Sequence, residues 1–164
     1  MVTDLDGVLP VRRVSIPVDA PVPTGSVNAY VVGEEPALLV DPQRRTEALD
    51  DAVAEVSVDH IAVTHAHPDH VGAVADYAAL TDATVVARDD HADRFAAAAG
   101  VEPDETVAPG ETVADTAVRA VDTPGHAPDH LAFAAGGPGT ESGRSVLCCG
   151  DLAVAEGSVA VAAP

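Results

Sequence analysis

The sequence has no lysine and no tryptophan, and only two tyrosines, two phenylalanines and one methionine among its 164 residues. Its two cysteines, Cys148 and Cys149, are adjacent, and neighbouring cysteines rarely satisfy disulfide geometry. No disulfide framework is therefore expected, and both cysteines are predicted to be buried strand residues. No apolar stretch reaches the roughly 18 to 20 residues of a membrane-spanning helix, so a transmembrane protein is not expected.

The N-terminus also lacks a basic segment followed by an apolar run, so it does not resemble a secretory signal. We expect residues 1–10 to be flexible and the protein to be cytoplasmic. A length of 164 residues, of which 47% are hydrophobic, predicts a single domain over residues 1–164 with a core of its own.

Basic residues are scarce as well: all eight are arginine, and the formal net charge is −19. The carboxylates are spread along the chain instead of forming an acidic tail. This composition resembles that of cytoplasmic proteins from extreme halophiles, in which molar salt shortens the electrostatic screening length to about 3 Å. Most carboxylates are then surface residues that carry no information about the substrate.

Apolar periodicity predicts an α/β fold in which all helices lie before residue 101. The predicted strands of this part span residues 11–18, 27–32, 37–40, 61–64 and 84–87. The predicted helices span residues 44–56, 72–80 and 89–99, the last one ending at Gly100. Strands over residues 112–114, 116–121, 131–134 and 145–149 follow, with no helix to cover them.

The residues with the clearest chemistry come directly after the predicted strand 61–64. The run His65-Ala66-His67-Pro68-Asp69-His70 holds four side chains that can bind metal. Imidazole nitrogens bind zinc at about 2.0 to 2.1 Å and carboxylate oxygens at similar distances, so the run can serve one metal ion or be divided between two. The alternative is an exposed loop with incidental histidines, which is disfavoured because five of the seven histidines lie in residues 65–70 and 126–130.

This run resembles the H-x-H-x-D-H signature of the metallo-β-lactamase-fold metallohydrolases. The segment Thr123-Pro124-Gly125-His126 is similar to the T-P-G-H segment of that superfamily, and Gly150-Asp151 is similar to its G-D segment. Residues 28–33 and 38–41 resemble its opening strands. The resemblance spans residues 11–157 in the expected order, and it implies a metallo-β-lactamase-type αββα sandwich.

The resemblance implies six ligands divided between two metal ions: His65, His67 and His126 for the first, and Asp69, His70 and the bridging Asp151 for the second. Zinc is the expected cofactor, with two ions bound, and iron or manganese suits the same ligands. Two ions about 3.5 to 4 Å apart would lower the pKa of a shared water and hold the resulting hydroxide. Asp69 would be the catalytic residue that orients this hydroxide and accepts its proton.

Two further residues are predicted to lie beside this centre. Asp41, at the end of strand 37–40, would hydrogen-bond the metal loop, residues 65–70, without binding metal itself. The alternative is that Asp41 is a plain turn residue. His130 either supports the site or binds substrate, or it is a surface histidine. His60 and His91 are predicted to be exposed to solvent.

The sequence departs from the superfamily pattern after Asp151. Members usually continue to a P-G-H-G segment whose histidine completes the second metal site, and no histidine follows His130 here. We expect a C-terminally truncated fold with weaker binding of the second metal. The second sheet would lack its covering helix, and a second copy or a complementing chain would cover the apolar face.

The resemblance favours hydrolysis of an ester, thioester or related acyl bond of a small metabolite by a metal-bound hydroxide. Cleavage of single-stranded RNA is an alternative, which the acidity opposes because phosphate contacts need arginine or lysine. A mononuclear iron persulfide dioxygenase would use His65, His126 and Asp151, but the Gly-Cys-Gly-Arg-like stretch typical of such enzymes is missing after the G-D segment. A catalytically inactive metal-binding remnant is the fourth possibility.

Overall fold

Two stacked β-sheets, with helices on the outer face of the first, form the part of the chain that the computed structural model describes: residues 2–5, 9–18, 25–136 and 145–153. The first sheet has seven strands in sequence order: β1 Val2–Leu5, β2 Val11–Pro17, β3 Ser26–Val32, β4 Ala37–Val40, β5 Val58–Ala62, β6 Thr84–Arg88 and β7 Glu105–Val107. Strands β1 to β4 pair antiparallel, and β4 to β7 pair parallel. The loops after β5 and β6 therefore leave the sheet at the same edge.

The helices cover one face of this sheet because each of the longer ones buries an apolar side. They are α1 Glu47–Ala54, α2 Pro68–Val71, α3 Val74–Thr81 and α4 Ala92–Ala99. Helix α1 begins where the Thr46 side chain accepts a hydrogen bond from the Leu49 amide, and α4 ends at Gly100, whose φ is +72°. Tyr77 and Phe95 pack with sheet residues in the resulting core. None of the helices in the described ranges is long and apolar enough to cross a membrane.

The second sheet has three antiparallel strands in the order β10-β9-β8: β8 Val118–Asp122, β9 Leu131–Gly136 and β10 Ser145–Cys148. On β9, alternate residues such as Leu131 and Phe133 face the first sheet and join Leu38 and Val40 in a second core. The described residues therefore form three layers, α, β and β, of the predicted αββα sandwich. Among the described strands of the second sheet, one large apolar side chain is exposed: Leu147, on the outer face.

The structure corrects two of the predicted elements and confirms the bounds of a third. The flexibility expected of residues 1–10 stays a prediction; within them, Val2–Leu5 form an edge strand paired with β2. The segment between strand 61–64 and helix 72–80 was expected to be a loop, but its residues Pro68–Val71 form the short helix α2. The predicted strand 112–114 is only an isolated bridge from Thr112 to Arg119, because Ala114 has a φ of +46°. Strand 37–40 has the predicted bounds.

Candidate metal centre

The candidate metal residues reach one place from both sheets. His65 and His67 lie on the loop that follows β5, and His70 lies in α2, which begins at Pro68 directly after His67. His126 lies on the loop between β8 and β9, and Asp151 lies in a 3₁₀ turn, Gly150–Leu152, that follows β10. Ends of the two stacked sheets thus meet at this group of side chains.

Three imidazoles form the first group of potential ligands. The Nδ1 atom of His67 lies 2.9 Å from Nε2 of His65 and 3.0 Å from Nε2 of His126, and the three ligand atoms lie within 4.8 Å of one another. Burial and the adjacent histidines lower the pKa of His65, and burial together with His126 lowers the pKa of His67. Both rings therefore remain neutral at pH 7, the form in which imidazole binds metal.

A second group joins His65 to His70 and Asp151, again with ligand atoms within 4.8 Å. The Asp151 carboxylate lies between the two groups, with Oδ1 3.5 Å from Nε2 of His70 and Oδ2 3.5 Å from Nε2 of His126. The Nε2 atom of His70 is buried and makes no hydrogen bond within the described residues. A buried nitrogen of this kind needs a partner, and a set of imidazoles with one carboxylate suits zinc. The residues therefore fit a metal ion.

Asp69, which was predicted as a ligand and as the catalytic residue, is not part of either group. It is half-buried in the first turn of α2, and its carboxylate lies outside both sets of converging atoms. Its role remains a prediction.

Asp41 holds the metal loop by three hydrogen bonds. It accepts from the backbone amide of Thr64 at 2.6 Å, from the Thr64 hydroxyl at 2.8 Å and from Nδ1 of His70 at 2.9 Å. The last bond leaves Nε2 of His70 free to bind a metal ion. Burial would lower the pKa of His70, but the carboxylates of Asp41 and Asp151 outweigh it and raise this pKa to about 10. Metal binding at His70 must therefore displace a proton.

His130 is fully buried, so the alternative of a surface histidine is wrong. Its ring stacks on His65 with centroids 5.1 Å apart, and its Nδ1 atom lies 2.8 Å from the Thr123 hydroxyl. The next residue, Leu131, donates its amide to the carbonyl of Thr64 at 2.7 Å. His130 thus belongs to the contact that joins the second sheet to the metal loop.

His60 was predicted to be exposed, and this is wrong. It is 9% exposed on β5, and its Nε2 atom lies 2.6 Å from Asp115. His91 is partly exposed, with Nδ1 2.8 Å from Asp90. Cys148 is buried in β10 as predicted, while Cys149 follows the strand and is half-buried.

Sequence reasoning missed Asp129 and Arg94. Asp129 is 5% exposed and accepts a hydrogen bond from the Ala66 amide at 2.7 Å, and its other oxygen lies 3.0 Å from Nε of Arg94. The triplet Pro-Asp-His occurs at residues 68–70 and again at 128–130, and this repetition was a signal for Asp129. The sequence contains no comparable signal for Arg94.

Comparison with known proteins places this geometry in a family. Of the curated proteins, an uncharacterized protein of Aquifex aeolicus is 32% identical over 150 residues, which cover 80% of this chain and 68% of that protein. Thioesterase pkgB of Emericella nidulans is 35% identical over 120 residues, which cover 65% of this chain and 31% of the thioesterase. The chain thus spans about a third of the length of the thioesterase.

Solved structures share the fold. BJP-1, a subclass B3 metallo-beta-lactamase of Bradyrhizobium japonicum, superposes with a TM-score of 0.62 at 22% identity, covering 88% of this chain and 60% of BJP-1. The family model of the metallo-beta-lactamase superfamily matches residues 22–162, which include every candidate metal ligand. The chain therefore belongs to the metallo-β-lactamase superfamily.

Proposed function

We propose that the chain is a metal-dependent hydrolase that cleaves an ester, thioester or related acyl bond of a small molecule. The observation that carries this proposal is the convergence of His65, His67 and His126 beside His70 and Asp151. Membership of the superfamily supports metal-dependent hydrolysis, and the similarity to a protein named as a thioesterase supports an acyl substrate.

Zinc is the proposed metal, with His65, His67 and His126 as one set of ligands and His70 with Asp151 as the other. Bound zinc would lower the pKa of a coordinated water to about 7 and so supply hydroxide as the nucleophile. Asp151 lies between the two sets and is the proposed shared ligand. Asp69, half-buried at the start of α2, is the proposed proton acceptor.

The remaining residues orient these groups. Asp41 fixes the His70 ring through Nδ1, and the Thr64 hydroxyl lies 3.1 Å from Nδ1 of His65. Each of these two rings therefore turns its Nε2 atom towards the site. Partners of this kind keep a ligand in the orientation that metal binding needs.

The proposal is tested by comparing His67→Ala with His91→Ala after loading with zinc. His67 belongs to the first ligand group, whereas His91 is partly exposed at the start of α4, and its side chain contacts only Asp90 among the described residues. We expect His67→Ala to lose bound zinc and to lower kcat/KM for thioester cleavage by more than the roughly 10- to 100-fold that loss of a supporting residue costs. His91→Ala should retain both properties.

Zinc content is measured by elemental analysis, and cleavage is measured by thiol release from a panel of acyl thioesters. Unchanged hydrolysis by His67→Ala would refute the proposal. Cleavage of single-stranded RNA without acyl hydrolysis would replace it with phosphodiester chemistry, and bound iron with oxygen uptake on a persulfide would replace it with a dioxygenase. A zinc-loaded protein that is inert on all these substrates would indicate a metal-binding remnant.

A further inference from the structure

Arg94 brings a positive charge to the metal centre of a protein whose formal net charge is −19. Other arginines, such as Arg12, Arg45 and Arg88, pair with partly or largely exposed carboxylates elsewhere on the surface. Arg94 pairs instead with Asp129, whose side chain is only 5% exposed. Arg94 therefore differs from these arginines, because a buried carboxylate holds it beside the metal centre.

The position of Arg94 relative to the imidazoles is fixed through Asp129. The Asp129 carboxylate accepts from the amide of Ala66, the residue between His65 and His67, at 2.7 Å. Its second oxygen lies 3.0 Å from Nε of Arg94, on α4. Arg94 therefore lies at the rim of the first ligand group.

The guanidinium of Arg94 retains binding capacity. Its side chain is 41% exposed, and within the described residues Asp129 is its one partner. This contact uses Nε and is electrostatic, since the facing oxygen of Asp129 makes no hydrogen bond. The two terminal nitrogens remain for a ligand, and such a fork matches the two oxygens of a carboxylate.

We infer that Arg94 binds a carboxylate of the substrate, so that the substrate is an anionic acyl compound with an acid group near the scissile bond. This inference rests on the proposed function and adds a substrate class to it. A carboxylate is favoured over a phosphate because a single guanidinium balances one negative charge. A phosphate dianion would bring a second negative charge, and Arg94 already offsets part of the charge of Asp129.

The test compares two chromogenic esters on the zinc-loaded full chain. One is the mono-4-nitrophenyl ester of glutaric acid, which is anionic, and the other is 4-nitrophenyl valerate, which has the same acyl chain length and no charge. We expect Arg94→Gln to raise KM for the anionic ester about tenfold or more, because a charge-assisted pair is lost, and to leave KM for the neutral ester within about twofold. Arg94→Lys should fall between, since it keeps the charge without the fork.

Arg119→Gln is the matched control, because Arg119 is exposed on β8 and its Nη1 donates to the carbonyl of Gly110. It should alter neither KM. Calorimetric titration with glutarate and with glutaramide, its uncharged diamide, gives a readout without turnover: Arg94→Gln should weaken glutarate about tenfold and leave glutaramide unchanged. Thermal unfolding of each variant shows whether the fold is retained.

The possible failures are distinguishable. If the zinc-loaded protein hydrolyses neither ester, the proposed function fails, and glutarate binding alone then decides the role of Arg94. If both esters are hydrolysed and Arg94→Gln changes them equally, Arg94 only supports Asp129 and the inference is wrong. Equal weakening of glutarate and glutaramide would overturn it in the same way.

Discussion

Thr64 connects the two ligand groups without being a metal-binding residue. Its hydroxyl donates to Asp41 and lies 3.1 Å from Nδ1 of His65, and its carbonyl accepts from Leu131 of the second sheet at 2.7 Å. The side chain is fully buried, so each of these contacts is protected from water. The space around Thr64 therefore has little tolerance for added atoms.

Gly150 is the residue most sensitive to this crowding. A Cβ atom at Gly150 would lie 2.4 Å from the Thr64 hydroxyl oxygen and 3.0 Å from Nε2 of His130, and its φ is +46°. We expect Gly150→Ala to displace the turn that carries Asp151, to lower the free energy of unfolding by about 1–3 kcal/mol through overpacking, and to weaken zinc binding. Denaturant unfolding and zinc titration measure the two effects.

Gly110→Ala is the control for backbone strain alone. Gly110 has a φ of +92°, but nothing lies within 4 Å of the Cβ position. It should cost about 1–2 kcal/mol from its conformation and leave zinc affinity unchanged. If the two variants lost the same amount of stability and zinc affinity, the contact between Gly150 and Thr64 would have no role.

Tyr77 links the stability of the helical layer to alkaline pH. Its side chain is fully buried, and its hydroxyl donates to Asp50 at 2.7 Å. Burial, the hydrogen bond and the charge of Asp50 all raise the pKa of Tyr77 above its ordinary value near 10. The folded chain thus holds this proton more tightly than the unfolded chain, so the contribution to stability is complete below pH 10 and is lost as the pH rises further.

We expect the free energy of unfolding to fall above pH 10 by up to about 1.4 kcal/mol per pH unit for each such tyrosine. Burial raises the pKa of Tyr30 in the same direction. Tyr77→Phe should therefore reduce the slope without abolishing it, as measured by urea unfolding between pH 8 and 11. A slope identical to that of the unsubstituted protein would contradict this account.

At the level of elements, the sequence predicted the strands and helices whose apolar residues recur at regular intervals. Apolar periodicity located the central strands and the three longer helices to within a few residues, because their buried faces recur at fixed intervals. Strand β1 was missed, since four edge residues with Asp4 among them show no such recurrence and are held by pairing with β2. Helix α2 was missed because it is one turn long and follows from Pro68 at its first position.

Long-range contacts limited the prediction of the site. His65, His67 and His126 could be proposed because each lies in a recognisable segment. The pairing of Arg94 with Asp129 joins two elements that no local pattern relates. The burial of His130 and His60 likewise depends on the stacking of the second sheet upon the first, which a single strand pattern does not reveal.

At the level of the whole molecule, the net charge of −19 predicts dependence on salt. Repulsion among the carboxylates destabilises the compact state and is screened as ionic strength rises. We expect Tm of the zinc-saturated protein to rise by at least about 5 °C between 0.1 M and 2 M NaCl, the shift that roughly 2 kcal/mol produces in a domain of this size.

Differential scanning calorimetry at fixed pH measures this shift. A parallel series in sucrose separates charge screening from general exclusion of cosolvent, because sucrose lacks the screening effect. A Tm that is constant or falls with NaCl would show that the acidic surface does not limit stability.

The supply of potential ligands by both sheets has a consequence for biosynthesis. A ribosome completes His65, His67 and His70 well before it reaches His126, and Asp151 comes last. An emerging chain can offer the loop histidines early, but it can close the full set only after the final described turn has left the exit tunnel. A chain interrupted before that turn would bind metal with fewer groups and release it sooner, so retained metal would mark chains synthesised through Asp151.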